Sequence, residues 1–345
     1  MGGTTFTAAP FAWAAAGVLA SGLLGCGRSG PDPVVTVDGS STGYPLSEAV
    51  AEELQRRTPP TRVVVGISGT DGGLQKLCAG EVDISAASRP IRPSEAEACR
   101  SGGIDYLEIP VAFDGIAIVG NLANTWADHI TTDELHRIWE PSAEAKVNHW
   151  SDVHPGWPAR PLRLFGAGLD SGTYDHFTEA IVGRVHASRS DYTSSEDDNM
   201  LVTGVAGDPL ALGFVGYAYY EQNRDRLKLL PVDDGNDENG RGPVAPTRTT
   251  ITEGTYQPLS RLLFLYVARS ALKRAEVTTF VRFYLQNAAK LADEVGLIPL
   301  PESTYHLVQA RIAQRITGSL FDKGYLPARA IEQLLARDLR PAEAP

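Results

Sequence analysis

The 345 residues contain no block of like charge, no repeat period and no apolar run of comfortable membrane-spanning length. The first absence argues against charged tails, the second against a solenoid and the third against a spanning helix. A GxxxxGK[ST] loop and a GxGxxG turn after a strand are missing, so the nucleotide-phosphate cradles they build are not indicated. CxxC and HExxH spacings are missing too. The seven histidines (129, 136, 149, 154, 176, 186 and 306) show no ligand-like pairing, so no structural zinc, other metal or cofactor is called for. GISGT and GLDSG do not spell GxSxG, the turn that raises a nucleophilic serine. Basic excess is lacking: the formal net charge is −11, which disfavours nucleic acid and anionic membrane surfaces as partners. What remains is a globular composition, 43% hydrophobic and 21% charged, in a chain long enough for two domains.

The N-terminus carries the first positive signal. Phe11 to Leu24 is apolar and ends in Leu23-Leu24-Gly25-Cys26, which resembles a bacterial lipoprotein signal whose cysteine becomes the acylated first residue. The alternative is a plain secretory signal with a chance cysteine, and the first ten residues lack the usual Lys or Arg. With Cys26 lipidated, Cys78 and Cys99 form an even pair suited to an oxidising compartment. A bridge there closes a loop of about 20 residues and stabilises by about 3 kcal/mol; two buried free thiols are the other reading.

Beyond a polar tether, 27–33, the pattern alternates strands and helices. VVTV (34–37), RVVVGIS (62–68) and EVDISAASRPI (81–91) read as strands, with helices at 45–57 and after TDGG between them, a βαβαβ rhythm. YLEIPVAFDGIAIVGN (106–121) holds two apolar runs separated by Asp114-Gly115. TTDELHRIWEP (131–141) opens with a capping box, Thr131 and Glu134. RPLRLFGAG, ALGFVGYAYY and RLLFLYVA read as further strands. Residues 232–247 form a surface loop whose carboxylates miss the EF-hand spacing, and 304–338 reads as core-packed helix.

Three strand-to-helix turns share one composition: DGSSTGYP (38–45), GISGTDGG (66–73) and GAGLDSGTYD (166–175). A helix N-terminus offers unpaired N–H groups and partial positive charge, glycine lets backbone approach a ligand, and Ser or Thr adds a hydroxyl. Singly, each turn is an ordinary N-cap. Together, at strand carboxyl ends lining one crevice, they make a cage of neutral donors for a small tetrahedral oxyanion. Local dipoles then outweigh the screened acidic net charge.

With GSSTGYPLSEAVAEE, GISGTDGGLQKLCAGEVDISAASRPI, VAFDGIAIVGN, GAGLDSGTYDHFTEAI, SEDDN, ALGFVGYAYY and QPLSRLLFLYV in order over about 34–305, the chain resembles the periplasmic phosphate-binding proteins. These are the solute receptors of bacterial ABC phosphate uptake, here in their lipoprotein, SphX-like branch. The resemblance implies an α/β, two-lobed periplasmic-binding-protein (type II) fold with a ligand cleft between lobes. It places a signal peptide at 1–25, a tether at 26–33, lobe one at 34–112 and 257–345, and lobe two at 113–256. It also implies inorganic phosphate as ligand, a membrane permease of an ABC phosphate transporter as partner, export to the periplasm or cell envelope, and a lipid anchor at Cys26. Ser41 and Thr42 fall on the first phosphate turn, Ser68, Gly69 and Thr70 on the second, and Ser171, Gly172 and Thr173 on the third; Ser88 and Arg89 follow a strand end.

Relatives commonly carry an aspartate where Arg89 stands, and an arginine near the third turn where this chain has AGLD. Arg89 is therefore expected to clamp two phosphate oxygens. The carboxylate that accepts the proton phosphate has and sulfate lacks is expected to be Asp114, with Asp170 second. Asp71 stands where glycine is commoner and must point away from an anion, and Tyr44 either shields the site or fills core. His176, within a helix, reads as packed or exposed rather than as a general base. The rival readings are a receptor for sulfate or molybdate, an exported phosphatase or esterase using Ser171 with Asp170 or His176, and a sensor or adhesin.

Overall fold

The computed structural model describes residues 1–2, 34–58, 61–321 and 328–339; Cys26 and the apolar run before it lie outside them. Val34–Gly39 (β1) alternates inward and outward positions and lies between two parallel neighbours, Arg62–Val65 (β2) and Ile84–Ala87 (β3). Tyr44–Arg57 (α1), Gly69–Cys78 (α2) and Pro93–Ser101 (α3) alternate with them. Helix α1 buries Leu46, Val50 and Leu54 along one stripe, each worth about 1.5–3 kcal/mol when fully buried. Cys78, ending α2, is bridged to Cys99 on α3, as the cysteine count suggested.

Tyr106–Asn121 (β4) is buried along its whole length and runs unbroken through Asp114-Gly115, where the sequence pattern suggested a division. Asp114 keeps its place because Arg261 stands opposite it in the ladder, and Gly115 leaves the room that the Ile251 side chain fills. The first part of β4 pairs antiparallel with Ser260–Ala268 (β11), the second with Ala211–Gly216 (β8). Arg163–Ala167 (β6) and Thr193–Ser195 (β7) extend the far side. The sheet order is β2-β1-β3-β11-β4-β8-β6-β7, with Leu227–Leu229 (β9) and Ile298–Pro299 (β12) also on β4. Ile130–Thr131 (β5) and Val232–Asp233 (β10) pair separately.

Thr132–Trp139 (α4) starts with the expected capping box on Thr131 and Glu134. After Trp150–Val153 (α5) comes Gly172–Phe177 (α6), anchored from below by aromatic packing. Phe177 stacks on Phe214 of β8 at 3.9 Å, and Trp139 meets both rings edge-on, contacts worth about 0.5–1.5 kcal/mol each beyond area burial. Asp198–Gly207 (α7) follows β7. Its Asp198 accepts the Gly216 amide at 3.1 Å, and there β8 stops and the chain turns helical, Tyr217–Gln222 (α8), rather than continuing the strand. Arg248–Glu253 (α9), Ala275–Glu294 (α10), Glu302–Ala313 (α11) and Ala328–Asp338 (α12) complete the order. Among the described residues no helix is long and apolar enough to cross a membrane.

Candidate functional site

The hydroxyl-rich turns all follow the carboxyl ends of parallel strands, where α/β sheets bind ligands. Ser40–Gly43 leads from β1 into α1, Gly66–Ser68 from β2 into α2, and Gly168–Ser171 from β6 into α6. No side chain caps α1 or α2. Ser68, at the N-cap of α2, turns its hydroxyl to Asp38 instead, at 2.5 Å. Their first-turn amides are thus left without side-chain acceptors. In α6 the Ser171 hydroxyl accepts from Thr173 N at 3.2 Å.

A cavity of about 860 Å³ collects Ser41, Ser68, Gly69, Thr70, Ser88, Arg89 and Asp170 of the expected residues. Thr70 and Ser88 pair through their hydroxyls at 3.1 Å, and Ser88 N donates to Thr70 Oγ1 at 3.1 Å. Thr42, Ser171, Gly172 and Thr173 are not on its wall; the first and third turns meet directly. Thr42 Oγ1 donates to the Gly172 carbonyl at 3.0 Å, and Ser41 Oγ donates to Asp175 Oδ2 at 2.7 Å. Gly172 is required here, since a Cβ would overlap Thr42 N and Oγ1.

Arg89 sits on the wall with its fork already held. Nη1 and Nη2 donate to Glu95 at 2.8 and 2.6 Å, and Nη2 also meets Asp71. Burial pulls its pKa down, but Glu95 and Asp71 outweigh that and raise it. Asp71 is bound in turn by Arg89 and Arg92, which lower its pKa against the opposing effect of burial. Tyr44 is half-buried at the start of α1 and does not line the cavity.

The cation that reaches across the turns is Arg261, 7% exposed at the start of β11. Its Nη2 donates to Thr42 Oγ1 and, at 2.9 Å, to the Gly172 carbonyl; its Nε donates to Asp114 Oδ2 at 3.2 Å. Asp114 does not line the cavity. It lies behind Arg261, with the same Oδ2 also 3.3 Å from His176 Nδ1. Burial would raise the Asp114 carboxyl, yet the His176 bond and the Arg261 charge hold it below the usual carboxylate range. His176, expected to be packed or exposed, is packed. Arg261 was missed at the sequence level although a signal existed: it is the lone charge in the strand RLLFLYVA, and a buried cation there demands a carboxylate on a neighbouring strand.

One spelling was also missed. Gly39-Ser40-Ser41-Thr42-Gly43 does fit GxSxG and sits on a strand–turn–helix. Ser41 contacts a carboxylate rather than an imidazole, and His186 Nε2 lies on the far side of that carboxylate, 2.7 Å from Asp175 Oδ1. Among the described residues no His, Cys, Asp and Glu cluster could hold a metal ion.

A model of the PBP superfamily domain matches residues 27–288. The chain belongs to the PBP superfamily. Within it, Protein SphX of Synechococcus elongatus is 48% identical over 302 residues, 88% of each chain. The phosphate-binding protein PstS of Staphylococcus saprophyticus is 35% identical over 85% of this chain and 91% of its own. The crystal structure of a possible phosphate binding protein from Planctomyces limnophilus matches with TM-score 0.77 and 44% identity, covering 83% of this chain and 100% of that one. This SphX-like PBP member therefore has the type II periplasmic-binding fold.

Proposed function

We propose that this chain is an exported receptor that captures inorganic phosphate between two lobes and delivers it to the permease of an ABC transporter. The observation that carries the reading is the convergence of the uncapped N-terminus of α2, the hydroxyls of Ser41, Ser68, Thr70 and Ser88, and the buried Arg261 on one cavity. The likeness to the phosphate-binding protein PstS of Staphylococcus saprophyticus and to the possible phosphate binding protein from Planctomyces limnophilus supports phosphate as the anion. Gly69 adds to the proposed cage from the cavity wall, and Thr42, Ser171, Gly172 and Thr173 complete it from the turns that touch behind the cavity. Hydrogen bonds to a charged group contribute about 1.5–3 kcal/mol each, enough in number to hold a small dianion without a saturating shell of cations. Arg261, rather than Arg89, is proposed as the cation of the site.

Asp114 lies behind Arg261 and off the cavity wall, so its proposed role becomes orientation of that guanidinium. The role of accepting the phosphate proton passes to Asp175, which lines the cavity beside Ser41. Closure is proposed as rotation of lobe one (34–112 and 257–345) against lobe two (113–256) about β4 and β11, the closed state being favoured by the anion. A lipid anchor at Cys26 remains part of the reading.

The test is calorimetric titration of the purified full chain, stripped of anion, with phosphate and then sulfate. Micromolar or tighter phosphate binding that excess sulfate fails to displace is expected. Equal binding of both anions would move the ligand to oxyanions in general, and no binding of either would end the receptor reading. Asp175→Asn is expected to admit sulfate as a competitor.

A further inference from the structure

Building on the phosphate reading, we propose that His176 is the proton-coupled positioning residue of the site: capture of the anion by Arg261 draws a proton onto His176 through Asp114. His176 lies on α6 and is 4% exposed, with an acceptor at each ring nitrogen. Nδ1 is 3.3 Å from Asp114 Oδ2 and Nε2 is 3.3 Å from the Pro258 carbonyl oxygen. A neutral imidazole carries one N–H and serves only one of these acceptors, whereas the imidazolium serves both. The ring is thus placed for its charged form where its surroundings oppose charge. Burial first, and then the Arg261 charge, lower the His176 pKa, while Asp114 acts the other way.

Arg261 couples the ring to the ligand because it is shared. One side of its guanidinium reaches Thr42 and Gly172, the turns that face the anion; the other holds the carboxylate that holds His176. A phosphate dianion beside Arg261 offsets the positive charge that suppresses His176 and competes with Asp114 for the fork. Both changes favour the imidazolium, and its second N–H then closes on Pro258. Since α6 carries the third turn, while Asp114 and Pro258 belong to the two crossing segments, the protonated ring ties that turn to the proposed hinge.

Other charges face the ring. Arg89, from the loop after β3, and Glu179, one turn further along, line the same smaller cavity of about 270 Å³. Arg89 is engaged by Glu95 and Asp71, and Glu179 lies 3.8 Å from Arg92. Asp175, next in sequence, is turned to Ser41 and His186. Asp198 on α7 interacts electrostatically with Asp114 from behind. Of these groups, only Arg261 contacts both a partner of the ring and the turns proposed for the anion.

The sign follows from linkage. The His176 pKa is low in the free protein and higher in the complex, so binding takes up a proton at pH values between the two. Affinity rises as pH falls through that window, by at most about tenfold per pH unit from this group. Titrating the full wild-type chain and a His176→Asn variant with inorganic phosphate, at one pH in buffers of different ionisation enthalpy, counts the protons. Asn retains a donor for Asp114, and the change in phosphate's own protonation is common to both proteins. The wild type is expected to take up more protons than the variant, by a difference approaching a whole proton within the window, and to show the steeper pH dependence of Kd. Equal counts and parallel slopes would overturn the coupling while leaving phosphate capture intact. No phosphate heat in the wild type would overturn both. A second readout needs no variant to fold: the Cε1–H resonance of His176 in the wild-type chain, titrated with and without saturating phosphate, is expected to report a higher pKa in the complex. An unchanged or lower value would equally overturn the coupling.

Discussion

Two of the four arginines that line the cavity, Arg89 and Arg261, are held in opposite ways. Arg89 belongs to an exposed-edge network in which Glu95 grips both arms of the fork and Asp71 takes what is left, so two carboxylates meet one guanidinium. Arg261 is buried between strands with a single carboxylate, and Asp114 divides its attention between Arg261 and His176. The arm left over reaches the first and third turns. The difference teaches that position on a cavity wall does not make a cation available; unsatisfied charge does. Removing Arg89 from water has been compensated already within its own wall. Arg261 carries a desolvation cost that one shared carboxylate offsets incompletely, and an anion placed beside it restores the balance.

Breaking the buried member should have the largest effect. Arg261→Gln is expected to weaken phosphate binding by more than about 100-fold, the loss of at least one charge-assisted pair. It should also lower stability by about 3–5 kcal/mol in urea unfolding, because Asp114 stays buried without its cation. Arg261→Lys should recover much of the stability and little of the affinity, since a point charge cannot serve both sides at once. An Arg261→Gln protein that binds phosphate within threefold of wild type would remove Arg261 from the site.

Next comes the seam that Arg261 bridges. Gly172→Ala sets a methyl against Thr42 N and Oγ1, so the first and third turns must part. Phosphate affinity is expected to fall by about 10- to 100-fold. Stability is expected to fall too, by about 1–3 kcal/mol, because the methyl meets backbone and parting the turns breaks the Thr42–Gly172 bond, while the aromatic packing of Phe177 keeps α6 in place. Unchanged affinity would mean that the turns need not touch when the anion is bound.

The sequence made the strands and helices of β1 to α3 legible because their signals are local: alternating or continuous apolar runs, glycine-rich turns, and valine and leucine at fixed spacing. The Thr131–Glu134 box and the cysteine pair were legible for the same reason. The three turns could be found by composition, and their sharing of the strand carboxyl ends by the βα rhythm. What stayed hidden depends on pairing across distance. Asp114 reads as a break in β4 until Arg261 is placed opposite it, 147 positions later. Arg89 reads as free until Glu95 folds back onto it from the first turn of α3. Asp175 reads as an ordinary helix residue until Ser41 reaches it from the other turn.

A smaller effect comes from behind the site, on stability rather than affinity. Burial, and to a lesser extent the neighbouring Asp197 and Asp114, push Asp198 up to about 6, against the opposing bond from the Gly216 amide. A carboxyl raised in the folded state contributes stability that is present below its unfolded pKa and lost as pH rises through about 6. Asp198→Asn should therefore flatten the pH dependence of stability between about 4 and 7 and stabilise the neutral protein by about 1 kcal/mol. Thermal unfolding across that range reads the result, and a variant whose profile parallels the wild type would contradict it.

The smallest change is expected where residue type and position suggested the largest. Arg89→Ala leaves Asp71 with Arg92 and exposes Glu95 to solvent at the cavity edge, so both carboxylates keep a partner or water. Its guanidinium contributes nothing directly to the anion while Glu95 holds it, and phosphate affinity should change by less than about threefold. Glu95→Gln tests the same idea from the other side. With the bidentate carboxylate neutralised, the Arg89 fork is released toward the cavity, and phosphate binding should tighten and grow more sensitive to salt. If Arg89→Ala instead costs as much as Arg261→Gln, the Glu95 contact must give way when the anion enters. The two arginines would then act together as one clamp, with Arg89 exchanging a carboxylate for phosphate on each cycle.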